Sequence, residues 1–113
     1  QMSYSTEFRR AVAAAAVTRL IAGRRNLDAA ARVGSKRLGN VVFPDRKEND
    51  RIRMLLEYRK KILAVDPKAT GTQKVLIARY HYDQCMKWVA DNNLKPEESS
   101  DLLVQTLLGA TQN

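Results

Sequence analysis

The chain has 113 residues and carries 20 Lys and Arg against 12 Asp and Glu, which gives a net charge of +8. This length suits one domain with a single hydrophobic core, and the positive charge favours an anionic partner. No apolar run approaches the roughly 20 residues that a membrane-spanning helix needs, so no membrane partner is expected. The single cysteine, Cys85, excludes an internal disulfide and gives no sign of an oxidising compartment.

We therefore expect the cytoplasm or another reducing compartment, with the nucleus and the mitochondrial matrix both open. Met2, which follows Gln1, is expected to be the natural start, and no basic segment leading into a long apolar core follows it as in a secretory signal. Residues 3–40 are rich in Ser, Ala and basic residues, with Glu7 and Asp28 as their only acids. That composition also fits a mitochondrial presequence, which is the minority interpretation.

The apolar spacing is helical almost everywhere and predicts an all-α bundle of about five helices with antiparallel neighbours. A first helix is predicted over about residues 6–23, with Ser5 as its N-cap. A second is predicted over about residues 27–38, capped by Asn26 and stopped by the pair Gly39–Asn40.

The remaining helices follow two loops. An acidic version of the capping box at residues 45–48 opens the third helix, which is expected to run to about Val65. Thr72 is expected to cap the fourth helix, which continues to about Asn92. Pro96 suits the first turn of a fifth helix.

Residues 1–113 are expected to form one helical domain with two unequal parts. Residues 45–109 hold the predicted core, centred on the third and fourth helices. Tyr80, Tyr82 and Trp88 are expected to lie in this core or at its edge rather than to form a stacking platform. Residues 1–40 form a basic, Ala-rich helical hairpin, because alanine buries little area but lets helices approach closely. In an alternative interpretation the hairpin exposes a small-residue face to a partner or a second copy. That partner-packing face would consist of Ala13, Ala16, Leu20, Ala31 and Gly34.

The positive charge is concentrated near the N-terminus. Residues 1–40 carry a net +6, residues 41–65 a net +3 and the remainder a net −1. On the third helix, basic and acidic residues are spaced to form i,i+4 ion pairs, as Arg53 and Glu57 are. The second helix and the turn before it carry five basic residues and one acid, Asp28. We call these five the basic face: Arg24, Arg25, Arg32, Lys36 and Arg37.

No arrangement of residues predicts catalysis. His81 and Cys85 are four residues apart on one helix, but a closed zinc site needs four ligands and the chain holds no other His or Cys. Both are expected in the core. Arg59 interrupts an apolar stripe and is expected either to extend to solvent or to pair with a carboxylate such as Asp83. We therefore predict no enzyme, no cofactor, no metal site and no small-molecule substrate.

Two functions fit the basic face. The first is nucleic-acid binding through the phosphate backbone, without strong sequence readout. No aromatic residue lies between Phe8 and Phe43, so base stacking on this segment is not expected. The alternative is a protein-interaction adaptor or regulatory subunit. It would dock an acidic protein through the same face, or form a homodimer through the Ala-rich helices.

Overall fold

The computed structural model describes residues 5–66 and 68–111, and of residues 110–111 only the backbone. Within these ranges it is all-helical and has no strand, as the sequence predicts. None of the described helices is long and apolar enough to cross a membrane. The five helices are α1 (Thr6–Ala22), α2 (Leu27–Val42), α3 (Glu48–Leu63), α4 (Lys74–Asp91) and α5 (Pro96–Thr111).

The first two helices begin where their caps predict. The Ser5 hydroxyl accepts a hydrogen bond from the Phe8 amide at 3.2 Å, and the Asn26 side chain accepts one from the Ala29 amide at 2.8 Å. The predicted end of α2 at Gly39 is wrong, because the helix continues to Val42. The extra turn places Val42 in the core, and its apolar burial outweighs the poor helix propensity of glycine.

The caps predicted for α3 and α4 are also wrong. Lys47 occupies the N-cap position of α3, and the capping box expected at residues 45–48 does not form. Gln73 replaces Thr72 at the N-cap of α4. Neither of these N-cap residues makes a side-chain capping hydrogen bond, so the first amides of α4 have no side-chain acceptor from the cap.

The central helix of the bundle is α1, and the prediction of a core centred on α3 and α4 is wrong. Every residue from Ala11 to Val17 is at most 1% exposed, so this helix is covered on all sides. It packs against each of the other four helices. Seven consecutive buried residues leave no polar face, and the amphipathic spacing that marks a peripheral helix is absent here.

Small side chains explain how α1 reaches this position. The Ser100 hydroxyl on α5 donates to the Ala16 carbonyl at 3.1 Å, a contact that requires the two helices to lie close together. On α2, a Cβ atom at Gly34 would lie only 3.0 Å from Cγ2 of Val17. Alanine contributes little buried area itself, but it allows the larger side chains of four helices to pack around one axis.

The residues of the predicted partner-packing face lie inside this core. All five are buried within the chain, so these residues form no exposed face for a partner or a second copy. The tight packing of α1 against α2, the other interpretation of the hairpin, is confirmed. The residues concerned are Ala13, Ala16, Leu20, Ala31 and Gly34.

Because α1 takes the centre, α4 lies at the periphery. Tyr82 is buried as predicted, but Tyr80 is 61% exposed and Trp88 is 40% exposed. The second apolar stripe of α4 therefore faces outward, which corrects the placement of Tyr80 and Trp88 in the core.

One hydroxyl ties α1 to both α3 and α4. Thr18 donates to the Ala14 carbonyl at 3.1 Å, lies 2.8 Å from the Tyr82 hydroxyl and accepts from Nε of Arg59 at 3.0 Å. One donor and two acceptor positions complete the capacity of a hydroxyl group. Arg59 of α3 thus donates to a hydroxyl and not to the carboxylate of Asp83. That carboxylate pairs with Arg79 of α4.

Candidate nucleic-acid interface

The basic face begins in the turn between α1 and α2 and continues along α2. Arg24 and Arg25 occupy the turn, and Arg32, Lys36 and Arg37 follow on the helix; all five residues are exposed. The sequence predicts that most of these cations have no acidic partner.

The structure corrects that expectation, because three of the five cations have carboxylate partners. Nε of Arg25 lies 3.3 Å from Oε1 of Glu97, and Nη1 of Arg37 lies 2.6 Å from Oδ1 of Asp101. These two acids lie on α5, far away in the sequence but directly beside α2 in the fold. Glu97 lies in the first turn of α5, where the helix dipole also favours an acid.

Arg32 is paired within its own helix. Its Nε donates to Oδ2 of Asp28 at 2.8 Å, one turn earlier. This hydrogen bond and the charge of Asp28 raise the pKa of Arg32, and Glu48 at the start of α3 adds a smaller effect of the same sign. Both side chains of the Arg32–Asp28 pair remain more than 60% exposed.

Exposed ion pairs of this kind stabilise a protein only weakly, by about 0–1 kcal/mol. The three pairs lower the local positive potential of the basic face, and exchange of their exposed carboxylate partners for other anions would cost little free energy.

Arg24 and Lys36 are the two cations of the face that make no ion pair with any described residue. Arg24 has a φ of 75°, in the left-handed region where glycine is favoured over residues with a Cβ atom. The turn therefore holds a charged side chain at a position where glycine would cost less conformational energy.

His81 and Cys85 lie on α4, half-buried, and do not belong to the basic face. The His81 ring meets the Phe8 ring edge-on at a centroid distance of 5.1 Å. Burial raises the pKa of the Cys85 thiol to about 11, which makes it a poor nucleophile at neutral pH. Among the described residues no group of three His, Cys, Asp or Glu side chains could hold a metal ion.

The carboxylates of α4 are likewise engaged in ion pairs. Asp83 accepts from Nε of Arg79 at 2.9 Å, and Asp91 accepts from Nζ of Lys87 at 3.0 Å. These i,i+4 pairs are typical of a solvated helix face and do not bring two acids together for acid–base chemistry.

Comparison of the chain with protein-family models, with curated proteins and with solved structures finds no match. The function of this protein is therefore inferred from its own residues and their geometry.

Proposed function

We propose that this protein is a non-enzymatic binding protein that contacts the phosphate backbone of nucleic acid through the basic face. The observation that carries the proposal is Arg24, an exposed cation without an ion pair that is held in a left-handed turn. Lys36 adds a second unpaired cation on α2, and the net charge of +8 supplies a long-range attraction to polyanions.

Contact with the backbone explains the composition of the face better than base readout does. The face has no aromatic side chain for stacking and no Asn or Gln among its five residues for pairing with base edges. Arginine and lysine neutralise phosphates without regard to sequence. Affinity should then depend steeply on salt and weakly on the order of bases.

The structure allows a sharper test than replacement of all five cations. Substitution of Arg25 or Arg37 would also break an ion pair to α5 and mix a change in packing with a change in charge. The double variant Arg24→Gly, Lys36→Gln removes only unpaired charge, and glycine also relieves the left-handed backbone at position 24. The double variant Lys60→Gln, Lys68→Gln is the matched control, because both lysines are exposed, lie outside the basic face and make no ion pair with a described residue.

Binding of labelled duplex DNA is measured by fluorescence anisotropy across a salt series. Each phosphate contact contributes a slope of about −0.9 in the logarithm of affinity against the logarithm of salt concentration. The variant Arg24→Gly, Lys36→Gln is expected to reduce the slope by about 1.8, and the control Lys60→Gln, Lys68→Gln should leave it unchanged. An unchanged slope in the Arg24→Gly, Lys36→Gln variant would refute backbone binding through this face.

The second candidate function is an adaptor that docks an acidic protein segment on the same face. The Arg25–Glu97 and Arg37–Asp101 pairs favour it, because they demonstrate that carboxylate side chains fit against this surface. A labelled poly-Glu peptide of the same total charge as the duplex separates the two candidates. Tighter binding of the peptide than of the duplex at equal salt would favour the adaptor.

A further inference from the structure

A cavity of about 440 Å³ opens at the end of the bundle where α1 begins and α2 ends. It is roughly 20 Å from the turn that holds Arg24, because residues 11–22 of α1, at about 1.5 Å each, separate Arg10 from that turn. This volume falls within the range of small-molecule sites in proteins. The side chains that define its chemistry are Glu7, Arg10, Phe43, Tyr58, Lys61 and Lys74.

Arg10 is the unusual residue of this cavity. Its guanidinium carbon lies 4.9 Å from the centre of the Phe43 ring and 5.3 Å from that of Tyr58, so two aromatic rings hold it in place. Its Nε is fully shielded from solvent and donates to no acceptor among the described residues. Arg10 also takes part in none of the ion pairs among the described residues.

A shielded donor without an acceptor costs free energy, and such groups are rare in folded proteins. Aromatic rings stabilise the charge of a guanidinium but accept no strong hydrogen bond from its N–H groups. The rings therefore fix the position of Arg10, while no described residue accepts a hydrogen bond from its Nε. A planar oxyanion in the cavity would give the guanidinium group a charged acceptor, since carboxylate matches the guanidinium fork in a bidentate pair.

The charged residues that line the cavity determine which net charge on a ligand they would favour. Three cations line it, Arg10, Lys61 and Lys74, together with the acids Glu7 and Glu57. Glu57 also lies 3.5 Å from Nη1 of Arg53, outside the cavity lining. The excess of one positive charge matches one negative charge on a ligand, and the two acids oppose a dianion.

The start of α4 adds to the attraction. Lys74 and Val75 are its first two residues and both line the cavity. The Gln73 carbonyl accepts from the Leu76 amide at 3.0 Å, but the Gln73 side chain makes no capping hydrogen bond, so the amides of Lys74 and Val75 have no side-chain acceptor from the cap. Free amides at a helix N-terminus favour an anion.

The remaining walls determine the body of the ligand. Met54 and Val75 provide apolar surface, and Tyr58 provides a half-buried ring. Burial also raises the pKa of the Tyr58 hydroxyl, so this group stays neutral at pH 7. An apolar or aromatic body would gain from contact with these side chains.

We propose that this cavity binds a small organic carboxylate with an aromatic or apolar body, whose carboxylate group pairs with the Arg10 guanidinium. In the sequence, Arg10 directly precedes the apolar run of residues 11–17, and the structure buries every residue of that run. The site does not depend on the basic face, so the two proposals stand or fall separately.

The test is a titration of the full chain with benzoate, followed by amide chemical shifts in two-dimensional NMR. Benzamide, which has the same shape without the charge, is the comparison ligand. We expect benzoate to bind at least tenfold more tightly than benzamide, a difference of about 1.4 kcal/mol. The largest shifts should come from residues 6–10, Tyr58 and residues 74–75.

Arg10→Gln should reduce benzoate affinity at least tenfold. Arg9→Gln is its matched control, because Arg9 is the adjacent arginine on the same helix and does not line the cavity. If Arg10→Gln fails to fold, Lys74→Gln provides the second measurement: it should weaken benzoate about threefold, while the exposed Lys60→Gln should not. Equal binding of benzoate and benzamide, or shifts centred on the basic face, would overturn the proposal.

Duplex binding distinguishes this site from the proposed function. Arg10→Gln, or Lys74→Gln in its place, should leave the salt slope of duplex affinity within about 0.9 of the wild-type value, the contribution of one phosphate contact. A benzoate site that survives in the Arg24→Gly, Lys36→Gln variant would support the cavity even if that variant refutes nucleic-acid binding.

Discussion

The substitution Ala16→Leu tests the central position of α1. Ala16 is fully buried, and its carbonyl accepts the 3.1 Å hydrogen bond from the Ser100 hydroxyl of α5. Leucine adds three carbon atoms at a contact where the two helices lie close together. Because leucine and alanine both favour helix, the change affects packing and leaves helix propensity almost the same.

The expected loss follows from two contributions. Overpacking of a well-packed core costs about 1–3 kcal/mol, and loss of the Ser100 hydrogen bond costs about 1 kcal/mol more. A total near 3 kcal/mol is a large part of the 5–15 kcal/mol that holds a typical domain together. With a urea m-value of about 1.5 kcal/mol/M, the midpoint of unfolding should fall by about 2 M.

Urea unfolding followed by circular dichroism measures this shift. Ala22→Leu is the control, because Ala22 lies on the same helix but is exposed, and a surface change of this kind should stay within about 0.5 kcal/mol. If Ala16→Leu were as stable as the control, α1 would have a free face and its placement at the centre would be refuted. An altered oligomeric state with unchanged monomer stability would instead favour the partner-packing interpretation.

Two further predictions concern the Thr18 hydroxyl and the Cys85 thiol. Thr18→Val should cost about 2–4 kcal/mol, because it leaves the Tyr82 hydroxyl and Nε of Arg59 without their partner. Thr18→Ser keeps the hydroxyl and should lose about 1 kcal/mol or less, so equal losses in the two variants would contradict this role. The pKa of the Cys85 thiol is about 11 in the folded protein and 9.0 for the free thiol. The buried neutral thiol therefore makes its full contribution to the free energy of unfolding below pH 9, and this contribution is lost as the pH rises towards 11. Two pKa units correspond to at most about 2.7 kcal/mol, and Cys85→Ala should lack this part of the alkaline decline in urea midpoints; identical pH profiles would contradict the burial of the thiol.

The sequence predicts the helices and several of their starts because these depend on local rules. Ser5 and Asn26 cap their helices through hydrogen bonds to residues three positions ahead, and Pro96 opens α5 as the fixed geometry of proline favours. The end of α2 is different. Its last turn is stabilised by burial of Val42 against distant parts of the chain, and a local stop signal at Gly39 carries no information about that contact.

The centre of the bundle and the charge balance of the basic face are both tertiary properties. The larger apolar side chains of α3 and α4 favoured these two helices as the core. Which helix becomes central depends instead on how closely the other helices can approach it, and the alanines of α1 allow a close approach. Arg25 and Glu97 are 72 residues apart in the chain, so their pairing depends on the packing of α2 beside α5. The Arg10 cavity likewise needs Phe43 and Tyr58 to meet, which no spacing in the sequence reveals.

A bundle built around α1 has no independent part. The two-helix piece α1–α2 would lose three of the four helices that bury the segment from Ala11 to Val17, and the piece α4–α5 would lack that segment, against which both of its helices pack. Proteolytic fragments of the chain should therefore be unfolded, and the amide protons of this segment should exchange with solvent only when the whole molecule opens. The stretch with the smallest side chains is thus expected to report the global stability of the fold.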